Sequence, residues 1–428
     1  MAREGLRRVS QDGPGRNQAG QDQAGIVIAG AGHAGGSVVA FLRQYGWKGR
    51  ITLVGEEPLL PYQRPPLSKA WLKREATADN LALRPARFYE QQRIETRLGT
   101  RVTAIDRAAR EVHLADGGTL PYDRLVLATG ASPRRLGLPG AEMSGVLALR
   151  SAADADALAA VLEPGRRLAI IGGGYIGLEV AASARALGAE AVVIEREARV
   201  LARVAGTDLS AMIEARHRAE GVEVLLDAAV EGIEGEAGAA QAVRLRDGRR
   251  IACDAVLVGI GAMPNEALAV ECGLEAGGGI TVDLAARTSD PLIYAIGDCT
   301  RRPLPLYGRE ARLESVPNAI EQAKQAAADI CGRPPPVPEV PWFWSDQYDL
   351  RLQIAGLAFD PAEAVLRGSP EDGSFAVFHL AADHRVLAVE AVNAPADFMA
   401  GRILVAKARQ VAPGLLHDSA VPLKELAI

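Results

Sequence analysis

The chain has 428 residues, a length that exceeds one hydrophobic core and therefore predicts two or three domains. Apolar residues make up 48% and charged residues 24%, which is ordinary for a globular protein. The net charge of −5 gives no reason to expect nucleic acid or an anionic membrane as a partner, and no apolar run approaches the roughly 18 residues of a membrane span.

Residues 1–24 are rich in Arg, Gln, Gly and Asp and lack the apolar stretch of a signal peptide, so we expect a disordered extension. The cysteines form neither C-x-x-C nor C-x4-C, so a redox-active dithiol is not expected and a reducing cytoplasm fits; they are Cys253, Cys272, Cys299 and Cys331. The scattered histidines predict no metal site.

A short apolar strand at Ile26–Ala29, a glycine loop and a helix at Ser37–Tyr45 open the folded part of the chain. The loop has G-x-G-x-x-G spacing, which permits a tight turn, close approach to a pyrophosphate and close packing of helix on strand; its glycines are Gly30, Gly32 and Gly35. The next strand ends in Glu56, placed to bind a ribose hydroxyl, and the loop residue His33 is interpreted as incidental. This stretch predicts a dinucleotide site.

A proline-rich loop, 58–69, follows and ends in Ser68 and Lys69. Ser68 is predicted to cap a following helical segment, and Lys69 is either part of a rigid loop or a cation that stabilises a reduced, anionic flavin. Beyond it, Val102–Asp106 and Glu111–Leu114 are predicted strands of a hairpin. Leu125–Ser132 is a buried strand that ends in residues small enough for close approach of a cofactor: Ala128, Thr129 and Gly130.

The strand–loop–helix pattern then recurs, after a predicted helix at 151–163. Its loop and helix start contain Gly172, Gly174, Tyr175, Ile176 and Gly177. Glu195 ends the following strand, where a carboxylate would bind ribose hydroxyls and repel a 2′-phosphate. NADH is therefore favoured over NADPH, although the adjacent Arg196 leaves the alternative open. Two dinucleotide sites in one chain indicate a flavin enzyme that also binds a nicotinamide.

Three later segments complete the pattern. Ala255–Asn265 resembles Leu125–Ser132 and is predicted to be a second crossing between domains. The predicted strand at 288–298 ends in Asp298, which can accept hydrogen bonds from a ribityl chain, and Ser315 is a predicted N-cap of a helix aimed at the flavin. A proline-rich linker at 333–341 leads to an aromatic cluster at 342–348, interpreted either as core or as cofactor contact.

Six motifs stand in one characteristic order: the Gly30 loop, Arg64–Lys69, Gly172–Glu179, Ile296–Asp298, Glu314–Asn318 and Trp342–Gln347. From about residue 25 to its end the chain resembles the putidaredoxin reductase-like ferredoxin reductases of bacterial cytochrome P450 and ring-hydroxylating dioxygenase systems. The resemblance implies an α/β, glutathione-reductase-like fold with two Rossmann-type dinucleotide-binding domains plus a C-terminal α+β domain. The implied divisions are an FAD-binding domain at 25–135 and 266–335, an NAD-binding domain at 136–265, and a C-terminal domain at 336–428 that covers the flavin.

The resemblance also implies roles for particular residues. Lys69 and Glu179 are our candidate catalytic residues: each follows a loop that should converge on the flavin, so we expect them to form an ion pair beside flavin N5. The FAD contacts implied by the motifs are Ala34, Glu56, Arg64, Lys69, Val102, Arg150, Asp298, Ser315 and Val316, with Trp344 near the flavin. The implied NADH contacts are Glu179, Glu195 and Gly261, beside the second glycine loop.

The implied activity is transfer of electrons from NADH through FAD, singly, to a [2Fe–2S] ferredoxin in the cytoplasm. Because an acidic chain and an acidic ferredoxin repel each other, a local basic patch is needed, and its candidates are Arg301, Arg302, Arg309 and Arg312. A solvated loop with no partner is the alternative for this patch. For the whole chain the alternatives are an NADH oxidase, a peroxide or disulfide reductase, and a redox-sensing interaction protein like apoptosis-inducing factor.

Overall fold

The computed structural model describes residues 25–427, so the predicted disordered extension at 1–24 lies outside the described residues. Among residues 25–427 no helix combines the length and the apolar character that crossing a bilayer requires. The architecture is α/β, with two five-stranded parallel sheets, a five-stranded antiparallel sheet and several small sheets.

The first part of the chain contains eight strands and three helices. They are β1 (Ile26–Ala29), α1 (His33–Gln44), β2 (Ile51–Gly55), α2 (Ala78–Leu81), α3 (Ala86–Gln91), β3 (Ile94–Leu98), β4 (Val102–Asp106), β5 (Glu111–Leu114), β6 (Thr119–Pro121), β7 (Arg124–Leu127) and β8 (Ala131–Pro133). The strands β1, β2 and β7 are almost wholly buried and rich in Val, Ile and Leu, as expected for parallel strands covered on both faces.

The second part repeats this pattern. It contains β9 (Val146–Leu147), α4 (Ala152–Ala159), β10 (Arg167–Ile171), α5 (Tyr175–Ala186), β11 (Glu190–Ile194), α6 (Thr207–Ala219), β12 (Glu223–Leu225), β13 (Val230–Glu236), β14 (Ala239–Leu245), β15 (Arg250–Ala252), β16 (Ala255–Val258) and β17 (Ala262–Pro264).

The chain then returns to the first sheet and continues into the antiparallel sheet. The returning elements are α7 (Ala267–Glu271), β18 (Ile280–Thr281), β19 (Ile293–Ala295), β20 (Thr300–Leu304), β21 (Arg309–Ala311) and α8 (Val316–Ile330). The last part contains β22 (Trp342–Gln347), β23 (Leu350–Gly356), β24 (Glu363–Ser369), β25 (Ser374–Leu380), β26 (Val386–Val392), α9 (Pro395–Ala406), α10 (Pro413–His417) and α11 (Leu423–Leu426).

Strand order explains where a site can form. The two parallel sheets run β19-β7-β1-β2-β3 and β12-β11-β10-β16-β9, and the antiparallel sheet runs β22-β23-β26-β25-β24. The chain passes from the first sheet to the second through β8 and back through β17, and these two crossing strands pair with each other. In parallel sheets with this winding, ligands bind beyond the carboxyl ends of the strands. The two glycine loops lie at such ends, after β1 and β10.

Several local predictions differ from the structure: the predicted helix at 151–163 is the shorter Ala152–Ala159, the predicted strand at 288–298 is the shorter Ile293–Ala295, and two differences lie beside the first glycine loop and the proline-rich loop. The first helix begins at His33, four residues before the predicted start, because the third glycine of the loop belongs to the helix itself. Ser68 does not cap a helix: it ends a 3-10 turn at Pro65–Ser68, and its hydroxyl is bound to side and main chain instead. The predicted N-cap at Ser315 is confirmed, because its side chain accepts a hydrogen bond from the Asn318 N–H.

Candidate active site

A cleft of about 1450 Å³ runs along the carboxyl ends of both parallel sheets and is closed on one side by β22. This volume exceeds the roughly 300–1,000 Å³ of a pocket for one small ligand, which suits two dinucleotides. All of the predicted cofactor-binding residues line the cleft except three glycines: Gly35, Gly172 and Gly177. The structure therefore brings together residues that are spread over more than 300 positions of the sequence, from Gly30 to Trp344.

The three remaining glycines act through packing. A Cβ atom on Gly35 would lie 1.9 Å from the Gly30 carbonyl oxygen, and one on Gly177 would lie 2.4 Å from the corresponding oxygen of Gly172. Each third glycine thus lets the helix approach its own loop, as the motif predicts. Gly30 itself has φ of +120°, a conformation that favours glycine, and a Cβ there would meet the Ala128 carbonyl oxygen at 2.1 Å.

The two loops fit the pyrophosphates of FAD and NADH. Helices α1 and α5 are each preceded by a glycine N-cap that makes no side-chain capping bond, so their first backbone N–H groups are not covered by a cap side chain. Free N–H groups and the positive end of the helix dipole favour an anion. Both N-caps, Gly32 and Gly174, line the cleft, and with no side chain they leave room for a phosphate against the backbone.

Two ion pairs shape the half of the cleft that contains the first loop. Arg150 donates to Asp298 at 2.9 Å, and Arg64 pairs with Glu57 at 2.6 Å while also donating to the Arg150 carbonyl oxygen. His33 lies beside these groups, and burial, followed by the charge of Arg64, lowers its pKa to about 4. His33 is therefore neutral near pH 7, although the sequence pattern gave it no role. Glu57 was also missed, because the motif directs attention to Glu56.

Glu195 is held firmly in the other half. Its carboxylate accepts hydrogen bonds from the Gly173 N–H at 2.6 Å and the Glu197 N–H at 2.9 Å. Arg196 does not line the cleft: its side chain is 77% exposed and pairs with Glu197 at 2.7 Å. Arg203, which the sequence gave no reason to select, lines the cleft, and its guanidinium is 3.8 Å from a Cβ position on Gly261.

Lys69 and Glu179 join the two halves of the cleft. The Lys69 ammonium lies 2.5 Å from the Glu179 carboxylate, whose side chain is only 5% exposed, so the expected ion pair is confirmed. The same carboxylate accepts hydrogen bonds from Ser68 at 2.5 Å and from Ser345 at 2.6 Å. Three donors compensate the buried charge, which would otherwise be costly to desolvate. Ser68 and Ser345 carry no sequence signal beyond their place in two motifs.

The aromatic cluster at 342–348 both lines the cleft and packs against the core. Trp342, Phe343 and Trp344 are half-buried and line the cleft, while Trp342 also packs against the hydrophobic core of the C-terminal part. Phe343 packs edge-on against Tyr175, with ring centroids 5.0 Å apart, and so contacts the start of α5. Strand β22 therefore covers the cleft with aromatic surface.

The predicted basic patch requires a correction. Arg302 is only 3% exposed and makes a bidentate pair with Glu321 inside the fold, so it cannot contact a partner. The other three arginines are partly or well exposed but each has an acidic neighbour: Arg301 pairs with Glu310, Arg309 with Asp360 and Arg312 with Glu314. Arg312 alone among the four lines the cleft.

Comparison with known proteins places these features in context. Residues 24–323 match the family model described as pyridine nucleotide-disulphide oxidoreductase, and residues 342–427 match the model described as reductase C-terminal. The probable ferredoxin reductase CtmF of Castellaniella defragrans is 50% identical, over 94% of this chain and 98% of its own length.

Two further matches concern one electron-transfer system. Putidaredoxin reductase CamA of Pseudomonas putida is 44% identical over 94% of this chain and 96% of its own length. A crystal structure of the covalent putidaredoxin reductase–putidaredoxin complex matches with a TM-score of 0.91 and 44% identity, covering 94% of this chain and 98% of that chain. These findings confirm the resemblance and the fold class inferred from the motifs.

Proposed function

Because the chain belongs to the pyridine nucleotide-disulphide oxidoreductase family, within its putidaredoxin reductase-like ferredoxin reductases, we propose that it is an FAD-containing NADH:ferredoxin reductase. Its electron acceptor is a [2Fe–2S] ferredoxin that supplies a cytochrome P450 or a ring-hydroxylating dioxygenase. The observation that carries this proposal is one continuous cleft in which two dinucleotide loops are joined by the Lys69–Glu179 pair.

In the proposed arrangement, the half of the cleft with the Gly30 loop holds FAD and the half with the Gly174 loop holds NADH. When bound, FAD would accept a hydride from NADH and release the electrons one at a time to the ferredoxin. The protein provides binding, orientation and electrostatics. The N-termini of α1 and α5 bind the two pyrophosphates. The pair with Arg150 holds the Asp298 carboxylate, a hydrogen-bond acceptor, at the wall of the first half.

Lys69 supplies the positive charge at the junction of the two halves. Its ammonium is oriented by Glu179 and by the Pro65 carbonyl oxygen, which accepts a hydrogen bond at 3.1 Å. A cation in this position stabilises negative charge that develops nearby during hydride transfer. The aromatic residues of β22, Trp344 among them, exclude water from the same region.

Glu195 supports NADH as the electron donor. Its carboxylate is oriented by two backbone N–H groups at the end of β11, where it can accept hydrogen bonds from ribose hydroxyls. Arg196, the neighbour of Glu195 in the sequence that could attract a 2′-phosphate, does not line the cleft and is paired with Glu197.

The finer assignments belong to the same proposal. We divide the chain into an FAD-binding domain at 25–135 and 266–335, an NAD-binding domain at 136–265 and a C-terminal domain at 336–428. For the ferredoxin, Arg301, Arg309 and Arg312 remain the docking candidates, with Arg312 the strongest because it lines the cleft. All four cysteines are free thiols, which fits a cytoplasmic protein.

Turnover separates this function from its alternatives. NADH oxidation by the purified flavoprotein is measured with oxygen alone, with ferricyanide, and with a [2Fe–2S] ferredoxin followed at its own absorbance. Rapid ferredoxin reduction with slow oxygen consumption supports the proposal. Fast oxygen consumption without ferredoxin indicates an oxidase, and slow reduction of every acceptor indicates a redox-sensing interaction protein.

Docking is tested with two matched charge reversals. Arg312→Glu should raise the KM for ferredoxin while leaving NADH-driven flavin reduction intact, because it acts on the encounter with the partner. Arg250→Glu is the control, since Arg250 is exposed on β15, pairs with Glu234 and does not line the cleft. An unchanged KM in Arg312→Glu removes Arg312 from the docking surface.

A further inference from the structure

A chain of buried polar side chains leads from Glu179 to the surface turn between β22 and β23. Ser345 donates to Glu179, and Gln347 donates its amide N–H to the Ser345 hydroxyl at 3.1 Å. The amide oxygen of Gln347 contacts Nε2 of His217 on α6 at 2.8 Å, and Nδ1 of that ring contacts the Tyr348 hydroxyl at 3.1 Å. The proposed function assigns no role to Gln347, His217 or Tyr348.

All the donors along this series of side chains are directed toward Glu179. Because the Gln347 amide nitrogen donates to Ser345, its oxygen must accept, so His217 must carry its proton on Nε2. Burial lowers the pKa of His217, which keeps the ring neutral near pH 7 and leaves Nδ1 to accept from Tyr348. Every hydrogen bond therefore ends, through Ser345, on one oxygen of the Glu179 carboxylate. Linked hydrogen bonds of this kind polarise one another.

The backbone supports the same arrangement. Ser345 and Gln347 occupy alternate positions of β22 and are each 1% exposed, while Asp346 between them is exposed, so both side chains lie on the inner face. Tyr348 then has φ of +55°, which is a strained conformation for an aromatic residue. This turn places the Tyr348 ring edge-on against His217, with centroids 5.1 Å apart.

We infer that Ser345, Gln347 and His217 are positioning residues that hold the Glu179 carboxylate in register with Lys69. Ser345 occupies one carboxylate oxygen, and Lys69 and Ser68 share the other. Without the Ser345 donor, the negative charge of the Glu179 carboxylate is compensated more fully by Lys69. The Lys69 ammonium then contributes less positive potential to the cleft. The inference rests on the proposed function, because the charge of Lys69 matters only where a redox cofactor is bound beside it.

The first test determines the direction of these hydrogen bonds without measuring turnover. In the ¹⁵N-histidine NMR spectrum of the flavoprotein near pH 7.5, His217 should show a neutral ring protonated on Nε2, with its signals identified by their loss in His217→Phe. A ring protonated on Nδ1, or a charged ring, would overturn the direction of the chain.

The second test compares buried hydroxyl deletions. Ser345→Ala should slow flavin reduction at saturating NADH by about tenfold and shift the FAD midpoint potential to more negative values, with the Kd for NADH changed less than about twofold. Ser345→Thr, which keeps the hydroxyl, should restore most of the rate. Thr52→Val is the matched control: Thr52 is also buried and donates to a carboxylate, that of Glu95, at 3.1 Å, and neither residue lines the cleft.

A double variant shows whether Ser345 acts through Glu179. In a Glu179→Gln background, Ser345→Ala should have little additional effect on rate or potential. A Ser345→Ala protein with the wild-type rate and potential, or one that adds its full effect in the Glu179→Gln background, overturns the inference. Failure of the proposed function is distinguishable, because wild-type protein would then bind no FAD, would not be reduced by NADH, or would pass no electrons to a [2Fe–2S] ferredoxin.

Discussion

Replacing Glu195 by Gln should abolish the preference for NADH over NADPH. The carboxylate of Glu195 accepts hydrogen bonds from the N–H groups of Gly173 and Glu197, at 2.6 and 2.9 Å, and a glutamine can accept only one of them while its NH₂ opposes the other. The variant therefore loses both the negative charge and the fixed orientation, without a large change in volume.

The expected magnitude comes from two contributions. A hydrogen bond from ribose to a charged group contributes about 1.5–3 kcal/mol, so kcat/KM for NADH should fall about tenfold or more. Repulsion between a carboxylate and a 2′-phosphate at about 4 Å amounts to roughly 1–4 kcal/mol per unit charge, so kcat/KM for NADPH should rise about tenfold. A wild-type preference for NADH of about a hundredfold should then fall to near one.

The assay is steady-state reduction of ferricyanide at fixed ionic strength with each nucleotide in turn. Glu197→Gln is the control: it releases Arg196, whose ion pair is exposed and therefore weak, so the ratio should change less than about threefold. A ratio that stays within threefold of wild type in Glu195→Gln refutes the reasoning. If the ratio of kcat/KM for NADH to that for NADPH changes as much in Glu197→Gln as in Glu195→Gln, Arg196 selects the nucleotide.

Four further outcomes are expected. Purified protein should be yellow, and acid precipitation should release the flavin into the supernatant; colour that stays in the pellet would indicate a covalent bond. Lys69→Ala should slow flavin reduction in stopped-flow experiments by about tenfold or more, because it leaves the Glu179 carboxylate buried without its cation; a rate within twofold of wild type would contradict the role of the pair. Arg302→Met should lower the free energy of unfolding by about 3 kcal/mol, since it leaves the Glu321 carboxylate buried without its cation; a denaturant titration that shows no loss of stability would contradict this expectation. Burial lowers the pKa of His217, so the unfolded chain takes up a proton from about pH 6.5 downward that the folded chain does not; stability should fall from pH 7 to pH 5, and less steeply in His217→Phe.

The parts of the site that were predictable are those fixed by local backbone geometry. The glycine loops could be recognised because Gly30, Gly35 and Gly177 occupy positions where a Cβ would collide with backbone atoms less than 2.5 Å away. Glu195 follows from its place after a buried strand. The Lys69–Glu179 pair was expected because both residues follow loops that should converge on one cofactor, and the structure confirms that they meet.

The parts that were missed depend on contacts between distant segments. Nothing local distinguishes His217 from other helical histidines, and its partner Gln347 is 130 residues away. Arg302 was placed in a surface patch with Arg301 on charge alone. The two arginines are neighbours on strand β20, however, and successive side chains of a strand point to opposite faces, so Arg301 is exposed while Arg302 is buried. The strand alternation in this segment was the signal that could have separated them.

The position of Glu179 has a consequence for how the protein matures. Its carboxylate contacts Ser68, 111 residues earlier, and Ser345, 166 residues later. During synthesis, the parallel sheets can assemble as soon as their strands have emerged, since domains generally fold from the N-terminal end as units. The buried carboxylate acquires its last donor only when β22 leaves the ribosome. A nascent chain can thus present both glycine loops before the hydrogen bonds to Glu179 are complete.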